Sequence, residues 1–281
     1  MKFELPRPLI QRPRSAAARR YRSQARSDEV RPWRAASYAV VDLETTGLKA
    51  KEHEIISWAV VHVDGGRIPA GAARYGLVRP RRLPEQGSIV VHGILPADLA
   101  CAPAPEVAFD ELLDAVAGRV VVAHAAWFEK AFLSRAAARR GVRWRSPMID
   151  TSVIGRWWLF ERDGYLPRAI SLASLVRLLG LPSHRPHHAT GDALTTAQAF
   201  LAIATHLDAV RPQTAGSLVD ARERVAEIRR LEPPEGYPKP WLKDRDQAEE
   251  TTVPEVVEAA ANTATGSDPA EPAADDAPTA G

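Results

Sequence analysis

The sequence predicts an α/β fold in which a mixed five-stranded sheet is covered by helices on both faces. Five short apolar runs are typical of buried strands. The first three follow one another with only turns between them, which indicates antiparallel pairing. The last two alternate with helical patterns, as strands of a mixed or parallel sheet do. A chain of 281 residues that is 45% hydrophobic can build such a core within one large domain.

The first three strands lie in the segment that begins at residue 38. "YAVVDLETTGL" contains the apolar run Tyr38–Leu43, and "IISWAVVHVDGGRI" and "RYGLVRP" follow it. The Asp-Gly-Gly turn inside the second stretch predicts a hairpin, with a third strand after it.

The rest of the sheet and its covering helices follow from periodicity and from glycine stops. "RVVVAHA" reads as a strand, and "PMIDTSVI" as a strand with its exit. Helical spacing, ended by Gly118, Gly141 and Gly180, predicts helices in "PEVAFDELLDAVAG", "WFEKAFLSRAAARRG" and "SLASLVRLLG". "HHATGDALTTAQAFLAIATHL" is apolar around most of its surface, so a long, largely buried helix is expected there. Residues 217–231 are expected to add a further helix.

Composition divides the chain into four parts. Residues 1–36 hold ten Lys or Arg and three acids, which predicts a flexible basic arm that could include a short helix or serve as a transit peptide. A folded domain is expected over 37–210 and a helical, Pro-rich extension over 211–248, where "EPPEGYPKPW" breaks regular structure. Residues 249–281 hold eight acids and no Lys or Arg, which predicts an acidic disordered tail.

The charge distribution along the chain indicates which class of molecule could bind to the protein. Residues 1–248 carry 37 basic and 27 acidic side chains, a net charge of +10. Such a basic body suits a polyanion such as nucleic acid, although charge runs are often only solvated surface. No apolar run is long enough to span a bilayer, and no apolar signal segment follows the basic start. With a single cysteine, Cys101, the sequence predicts a cytoplasmic protein with no membrane partner.

Four acids stand on otherwise apolar elements. Asp42 and Glu44 are two residues apart on a strand, so both point to one face of the sheet. Glu129 shares a helix face with Phe132 and Leu133, and Asp192 lies near the start of the long apolar helix. A buried carboxylate needs a partner, and these segments offer no suitable basic side chain.

The four acids together predict a metal site, because carboxylate oxygens select hard cations such as Mg²⁺ or Mn²⁺. Each acid alone also has a plain structural explanation. Asp192 could favour the helix dipole, Glu44 could be an exposed acid at a strand end, and Asp42 could accept hydrogen bonds from a turn.

Histidines adjoin the predicted site. His187 lies five residues before Asp192, where a histidine could act as a general base towards a bound water. His188 competes with it, and spacing alone does not choose between them. Asp150 and His124 also follow strands close to the site, and a structural role is expected for both.

Three motifs, "VDLETTGL", "AHAAWFEKAFL" and "HHATGDALTTAQAF", occur in the order in which the DEDDh family of 3′–5′ exonucleases carries its own. The chain resembles that family, which includes the proofreading subunit of the bacterial replicative polymerase, over residues 37–208. The resemblance implies a ribonuclease H-like fold and two divalent metal ions, Mg²⁺ or Mn²⁺. The family pattern H-x-A-x-x-D fits His187, Ala189 and Asp192, which favours His187 over His188.

The resemblance also implies a role for each site residue. Asp42, Glu44 and Asp192 would hold the first metal, and Asp42 would bridge to the second, whose site Glu129 completes. His187 would deprotonate the attacking water.

The same resemblance implies where the substrate lies. Backbone groups around Thr45, Thr46 and Gly47 would approach the terminal sugar. The "VHGI" segment, which contains His92, would lie near the terminal nucleotide.

The chain departs from the family in its second motif. The family's His-Asn-Ala-x-Phe-Asp reads here His124, Ala125, Ala126, Trp127, Phe128 and Glu129. Glutamate keeps the charge but extends its reach by one methylene, so it could bind the second ion directly or misplace it.

Three functions are therefore compared. The first is a metal-dependent 3′–5′ exonuclease that acts on single-stranded or frayed DNA, with a polymerase or repair protein as a possible partner. The second is a ribonuclease that trims RNA ends or oligoribonucleotides. The third is a catalytically impaired nucleic-acid-binding or polymerase-associated module. The retained Asp42, Glu44, His187 and Asp192 favour an active enzyme.

Overall fold

A computed structural model describes residues 12–24, 29–184 and 186–231, and these contain the predicted mixed sheet. The sheet has five strands in the order β3-β2-β1-β4-β5. The strands are β1 (Ser37–Thr45), β2 (Ile55–Asp64), β3 (Ala73–Leu77), β4 (Val120–Ala123) and β5 (Met148–Asp150). β1 pairs antiparallel with β2, and β2 pairs antiparallel with β3. β4 is parallel to both β1 and β5, so the prediction of a mixed five-stranded sheet is confirmed.

Helices cover both faces of this sheet, as predicted. They are α1 (Ala16–Ser23), α2 (Gln86–His92), α3 (Pro96–Leu99), α4 (Pro105–Val116), α5 (Trp127–Arg139), α6 (Thr151–Asp163), α7 (Leu172–Leu178), α8 (Ala189–Val210), α9 (Ala215–Val219) and α10 (Ala221–Leu231). Alternation along β1 separates two apolar clusters. Tyr38 and Val40 pack with α6, α8, α9 and α10, whereas Ala39 and Val41 pack with α1, α4 and α5.

The helix α6 was not predicted beyond the exit of the strand before it. Its β-branched and aromatic residues and a central Gly155 lower its intrinsic helix propensity. Tertiary packing overrides this propensity. Trp157 and Trp158 are buried in the core, and a Cβ at Gly155 would lie 2.9 Å from Leu175 Cδ1, so glycine lets the helix approach α7. The Asp150 carboxylate begins α6 by accepting a hydrogen bond from the Ser152 N–H.

The prediction of a flexible arm over residues 1–36 is wrong where the structure describes this segment. Residues 16–23 form α1, which packs on α4 through buried Ala17, Ala18 and Tyr21. Tyr21 stacks on Trp144 at 5.6 Å between ring centroids, and Arg20 Nε donates to Asp114 at 3.0 Å. The count of basic residues hid these apolar positions on the inner face of a short helix.

The predicted domain boundaries at residues 37 and 210 are also corrected by the packing. Trp33, only 1% exposed, belongs to the same apolar cluster as Ala215 and Leu218 beyond the expected C-terminal boundary. The two segments also share backbone hydrogen bonds, because the Trp33 N–H donates to Gln213 O and the Gly216 N–H to Glu29 O. The segment around Trp33 and the described part of the extension therefore complete the apolar cluster on the α8 face of the sheet. The Pro-rich end of the extension and the acidic tail, residues 232–281, lie outside the described residues.

Within the described ranges, none of the helices combines the length with the hydropathy that a bilayer crossing needs.

Docking of the N-terminal segment gives a prediction about Gly141. This residue has φ +72°, and a Cβ there would lie 2.0 Å from Arg12 O. We expect Gly141→Ala to lower the free energy of unfolding and to speed tryptic cleavage after Arg14. The matched control is Gly180→Ala, where φ is +64° but a Cβ would meet nothing within 4 Å. Overpacking should make Gly141→Ala about 1–3 kcal/mol more destabilising than its control in urea unfolding. Equal effects of the two substitutions would contradict the docking.

Candidate active site

Three of the predicted acids meet at the end of β1. Asp42 and Glu44 project from the face on which α8 packs, and Asp192 lies in the first turn of α8. Each of the three offers a carboxylate oxygen, and these oxygens all lie within 4.8 Å of one another. All three side chains are half-buried. We call these residues the carboxylate trio.

The strand geometry explains why Asp42 and Glu44 are held so firmly. β1 is buried between β2 and β4, and its apolar residues fix the direction in which every second side chain points. The register between β1 and β2 shifts between Glu44 and Thr45, which marks a bulge. Bulges of this kind end regular pairing and redirect the chain next to active sites.

Glu129 reaches the site from the other side of the sheet. It lies in the first turn of α5, whose Phe132 and Leu133 belong to the opposite apolar cluster. Its side chain is only 5% exposed, as the helical pattern predicted, and Oε2 has no hydrogen-bond partner among the described residues. Glu129 is not a member of the carboxylate trio, although it raises the pKa of Asp42 by charge repulsion.

Burial raises the pKa of all four acids, and the charges of neighbouring acids add to the shift in Asp42, Glu44 and Glu129. Burial raises the pKa of Glu44 to about 7, with a further contribution from the charge of Asp192. Burial raises the pKa of Glu129 to about 8, and the charges of Asp150 and Glu44 add to it. The pKa of Asp42 is raised well above its usual range by burial and then by its acidic neighbours. Burial also raises the pKa of Asp192, although its contacts with His187 and His188 oppose the shift.

This donor set fits a hard divalent cation. Ionisation of these acids in the metal-free protein is unfavourable in free energy, because no basic side chain pairs with Asp42, Glu44 or Glu129 in the described part of the chain. A cation would remove that cost, and carboxylate oxygens are the ligands that Mg²⁺ and Mn²⁺ prefer. The unpartnered Oε2 of Glu129 is accounted for in the same way.

The two candidate histidines hold different positions beside the trio. The backbone N–H of His187 donates to Asp192 Oδ2 at 2.8 Å, and His187 is exposed with a left-handed φ of +56°. His188 is the N-cap residue of α8, and its ring stacks on Tyr75 instead of capping the helix. The exposed His187 is therefore the histidine available to a water at the site.

The surroundings of Glu129 contain an ion pair between the buried Asp150 and the exposed Arg222, which the sequence pattern did not reveal. The Asp150 carboxylate accepts hydrogen bonds from the Ala125 N–H at 3.1 Å and from Arg222 Nη2 at 2.8 Å. Arg222 lies on α10, 72 residues further along the chain, so no local spacing could have pointed to it. His124 Nδ1 lies 2.9 Å from Thr151 Oγ1, which gives His124 the hydrogen-bonding role expected for it.

The residues expected to contact the substrate are largely occupied by contacts within the protein. Thr45 Oγ1 donates to Gly47 O, and Thr46 Oγ1 accepts from the Glu54 N–H. A Cβ at Gly47 would lie 2.6 Å from the His53 ring, so a close neighbour within the chain already explains this glycine. His92 is buried, and its Nδ1 accepts from the Ile94 N–H.

Exposed apolar side chains follow the end of β1, which carries Asp42 and Glu44, and were not singled out from the sequence. Leu48 follows the Thr46–Gly47 turn, and α2 is joined to that turn by the hydrogen bond from the Glu85 N–H to Thr46 O. The most exposed, Val90, is 80% accessible, and the set comprises Leu48, Val90, Val91 and Leu95. Neighbouring exposed apolar residues of this kind indicate a surface that another molecule covers.

The raised pKa values predict how stability depends on pH. Burial lowers the pKa of His62, His92 and His124, so these histidines oppose the acids below about pH 6.5. Between about pH 6.5 and pH 8 the acids dominate, and the metal-free folded state binds more protons than the unfolded state, so the stability should fall as the pH rises. We expect the melting temperature in EDTA to fall by several degrees from about pH 6.5 to about pH 8. We expect Mn²⁺ to raise it more at the higher pH, because ionised carboxylates bind the ion.

The control for this prediction is the double variant Asp42→Asn, Glu129→Gln, in which both dependences should weaken. A melting temperature in EDTA that does not change between about pH 6.5 and about pH 8 would show that ionisation of the acids does not destabilise the metal-free protein.

Comparison with known proteins points to one enzyme family. Residues 39–200 match the family profile RNase_T, described as "Exonuclease". The matched segment contains the trio, Glu129 and His187.

Curated relatives agree with this match. A DNA polymerase III subunit epsilon-like protein of Rhodobacter capsulatus is 34% identical over 186 residues, which is 65% of this chain and 26% of that protein. A PolC-type DNA polymerase III of Thermotoga maritima is 34% identical over 59% of this chain and 12% of its own length. The DNA polymerase III subunit epsilon of Aquifex aeolicus is 28% identical over 61% of this chain and 82% of its length. The chain thus spans about a quarter or less of the first two relatives.

Solved structures with the same fold include two nucleases. Exonuclease X in complex with 5′ overhanging duplex DNA is 25% identical, with a TM-score of 0.50 over 66% of this chain and 98% of that one. Exonuclease I of E. coli in complex with a dT13 oligonucleotide is 16% identical, with a TM-score of 0.54 over 62% of this chain and 42% of that one. These similarities confirm the ribonuclease H-like fold expected from the motifs.

Proposed function

Since the chain belongs to the RNase_T family of exonucleases, we propose that it hydrolyses phosphodiester bonds at the 3′ end of single-stranded or frayed DNA. The family membership confirms the resemblance drawn from the three sequence motifs. The observation that carries the proposal is the carboxylate trio with the exposed His187 beside it, because an inactive descendant would have no need to keep these groups together.

Each residue has a role in this proposal. The trio would hold the first of two divalent ions, with Asp42 shared between them, and Glu129 would complete the second site. Bound divalent ions supply neutralising charge at the phosphate and make water easier to deprotonate. His187 would take the proton from the attacking water, and its imidazole is free to do so because only its backbone N–H is committed to Asp192.

The exposed apolar set around Val90 is proposed to contact the terminal nucleotides. Leu48 follows the Thr46–Gly47 turn at the end of β1, and Val91 lies on α2, which is hydrogen-bonded to that turn through Glu85. Apolar side chains there can pack against sugars and base faces without choosing a sequence. DNA is favoured as substrate because Exonuclease X, the 25% identical relative, is described with an overhanging DNA duplex. A polymerase is a possible partner, because the Aquifex relative is a polymerase subunit.

A cleavage assay tests the proposed function. Single strands labelled at the 5′ or the 3′ end, as DNA and as RNA, are incubated with Mg²⁺ or Mn²⁺ and, separately, with EDTA. We expect metal-dependent release of mononucleotides from the 3′ end of DNA. Faster trimming of the RNA strand would support a ribonuclease instead. Binding without cleavage in either metal would support an impaired nucleic-acid-binding module.

The folded N-terminal segment changes how the basic residues can assist the reaction. Arg12, Arg14 and Arg19 are exposed beside the loop after α5, where Arg143 and Arg145 are exposed too. The Arg14 N–H donates to Arg140 O, and Tyr21 Oη accepts from the Arg145 N–H, which holds the two segments together. We call these five arginines the arginine surface. It lies at the far end of α5 from Glu129, beyond a helical rise of about 15 Å between Glu129 and Arg139.

The arginine surface predicts a substrate-length effect. We expect the double variant Arg143→Ser, Arg145→Ser to raise KM for a 20-nucleotide strand and to leave KM for a trinucleotide unchanged, because only the longer strand reaches this surface. The salt dependence of binding should also become shallower, since fewer counterions are released. The matched control is Arg229→Ser, Arg230→Ser, two exposed arginines on α10. Deleting residues 1–34 is not a clean test, because it removes the buried Trp33. An equal effect on both strand lengths would exclude this role.

A further inference from the structure

We propose that Tyr75 is a positioning residue for the active site, whose ring holds the loop that carries His187. The inference rests on the proposed function, in which His187 is the general base. The loop in question, here called the histidine loop, runs from residue 181 to residue 188 between α7 and α8, with residue 185 outside the described part.

Two hydrogen-bonding contacts hold the described residues of the histidine loop to α8. His184 Nε2 lies 3.1 Å from Gln198 Oε1. Close to the end of the loop, the His187 N–H donates to Asp192 Oδ2. His187 adopts a left-handed φ of +56°, a conformation that is uncommon for residues with a Cβ. A contact at the neighbouring His188 would help to keep the chain in this turn.

The ring of Tyr75 supplies that contact. The ring centroids of Tyr75 and His188 are 5.4 Å apart, and the rings are inclined by only 17°, which is a stacked arrangement. His188 is the N-cap residue of α8, but its side chain makes no capping hydrogen bond. Its fixed contact is instead with a strand, so the first turn of α8 and the histidine loop are both tied to the sheet.

The register of the sheet connects Tyr75 with a metal ligand. Ala59 of β2 pairs with Tyr75 of β3 on one side and with Asp42 of β1 on the other. Side chains paired across neighbouring strands point to the same face, so Tyr75 and Asp42 share the face on which α8 packs. Two strand spacings separate them by roughly 10 Å. One row of the sheet thus positions the metal ligand Asp42 and, through His188, the histidine loop.

Tyr75 is also exposed enough to have a different role. Its side chain is 43% accessible on an edge strand, so the core does not require an aromatic ring at this position. A nucleobase could stack on such a ring. The stack with His188 already uses one face of it, which favours the positioning role, and kinetics separate the two.

The test compares Tyr75→Val with Tyr75→Phe. Valine keeps the strand propensity but removes the ring, whereas phenylalanine keeps the stack. With a 5′-labelled DNA strand and saturating Mg²⁺, we expect Tyr75→Val to lower kcat about 3–10-fold with KM within twofold of the wild type. Tyr75→Phe should restore kcat. Tyr165→Val, at a tyrosine of similar exposure (39%) outside the site, should leave kcat unchanged.

A double variant shows whether Tyr75 acts through His187. In a His187→Ala background, Tyr75→Val should cause no further decrease in kcat, because the group that it positions is absent. A further decrease of the same size would overturn the inference. So would a higher KM at unchanged kcat, which would make Tyr75 a surface for nucleobases, or a Tyr75→Phe variant as slow as Tyr75→Val.

Hydrogen exchange separates failure of the inference from failure of the proposed function. The His187 amide should lose protection in Tyr75→Val and keep it in Tyr75→Phe, whether or not the protein cleaves DNA. If the wild-type protein did not cleave DNA, the proposed exonuclease function would be wrong, and the contact between Tyr75 and His188 would have no role in catalysis. An active wild type with unchanged kcat and unchanged exchange in Tyr75→Val would overturn the inference alone.

Discussion

Asp42→Asn should lower kcat by ~10³-fold or more, because Asp42 is the acid that both metal sites are proposed to share and its loss removes several kcal/mol of charge stabilisation. The same substitution should raise the melting temperature of the metal-free protein. Burial and the charges of Glu129, Glu44 and Asp192 all raise the pKa of Asp42, so its ionised form is unfavourable without a cation. Activity and stability are thus expected to change in opposite directions.

The two readouts together distinguish a metal ligand from a structural acid. The control is Asp220→Asn, an exposed aspartate at the end of α9, which should change neither kcat nor the melting temperature in EDTA. If Asp42→Asn lowered both the activity and the metal-free stability, Asp42 would be part of the structural framework and the metal assignment would be wrong.

Glu129→Gln should abolish metal-dependent hydrolysis, with a decrease in kcat of about 10²–10³-fold. The amide keeps the size of the side chain and can still occupy its buried position, but it removes the charge that would hold the second ion. Steady-state kinetics at several Mn²⁺ concentrations provide the measurement. Full activity in Glu129→Gln would exclude Glu129 as a metal ligand.

Glu129→Asp tests the departure that the sequence resemblance implies in the second motif. It introduces the aspartate expected from that motif and keeps the charge, so we expect activity within about tenfold of the wild type. A higher metal concentration should be needed if the longer side chain is what reaches the ion. Loss of all activity in Glu129→Asp would show that the surroundings have adapted to glutamate.

The parts of the site that lie within one element were predictable from sequence. The spacing of Asp42 and Glu44 on a strand required that they share a face, and the helical pattern around Glu129 required that it be buried. Both expectations hold in the structure because periodicity within one strand or one helix determines where a side chain points. The choice between His187 and His188 needed the family pattern, since both histidines act on Asp192 in the fold.

The parts that depend on pairing between distant segments were not predictable. Arg222 meets Asp150, and Tyr75 meets His188, across more than 70 residues of chain, and no local pattern records such pairings. The docking of α1 was missed for a related reason, because its many arginines outweighed three buried residues in the composition. The helix α6 was missed because its stability comes from packing against α7 and α8 and not from its own propensity.

The acids of the candidate site come from opposite faces of the sheet, and this affects how the position of each acid can change. The trio is supported by the apolar cluster beneath α8, whereas Glu129 is supported by the separate cluster beneath α5. A substitution in the cluster beneath α5 can therefore shift Glu129 and leave the trio in place. The sheet thus acts as a partition, so that the position of Glu129 can change independently of the three acids on the other face.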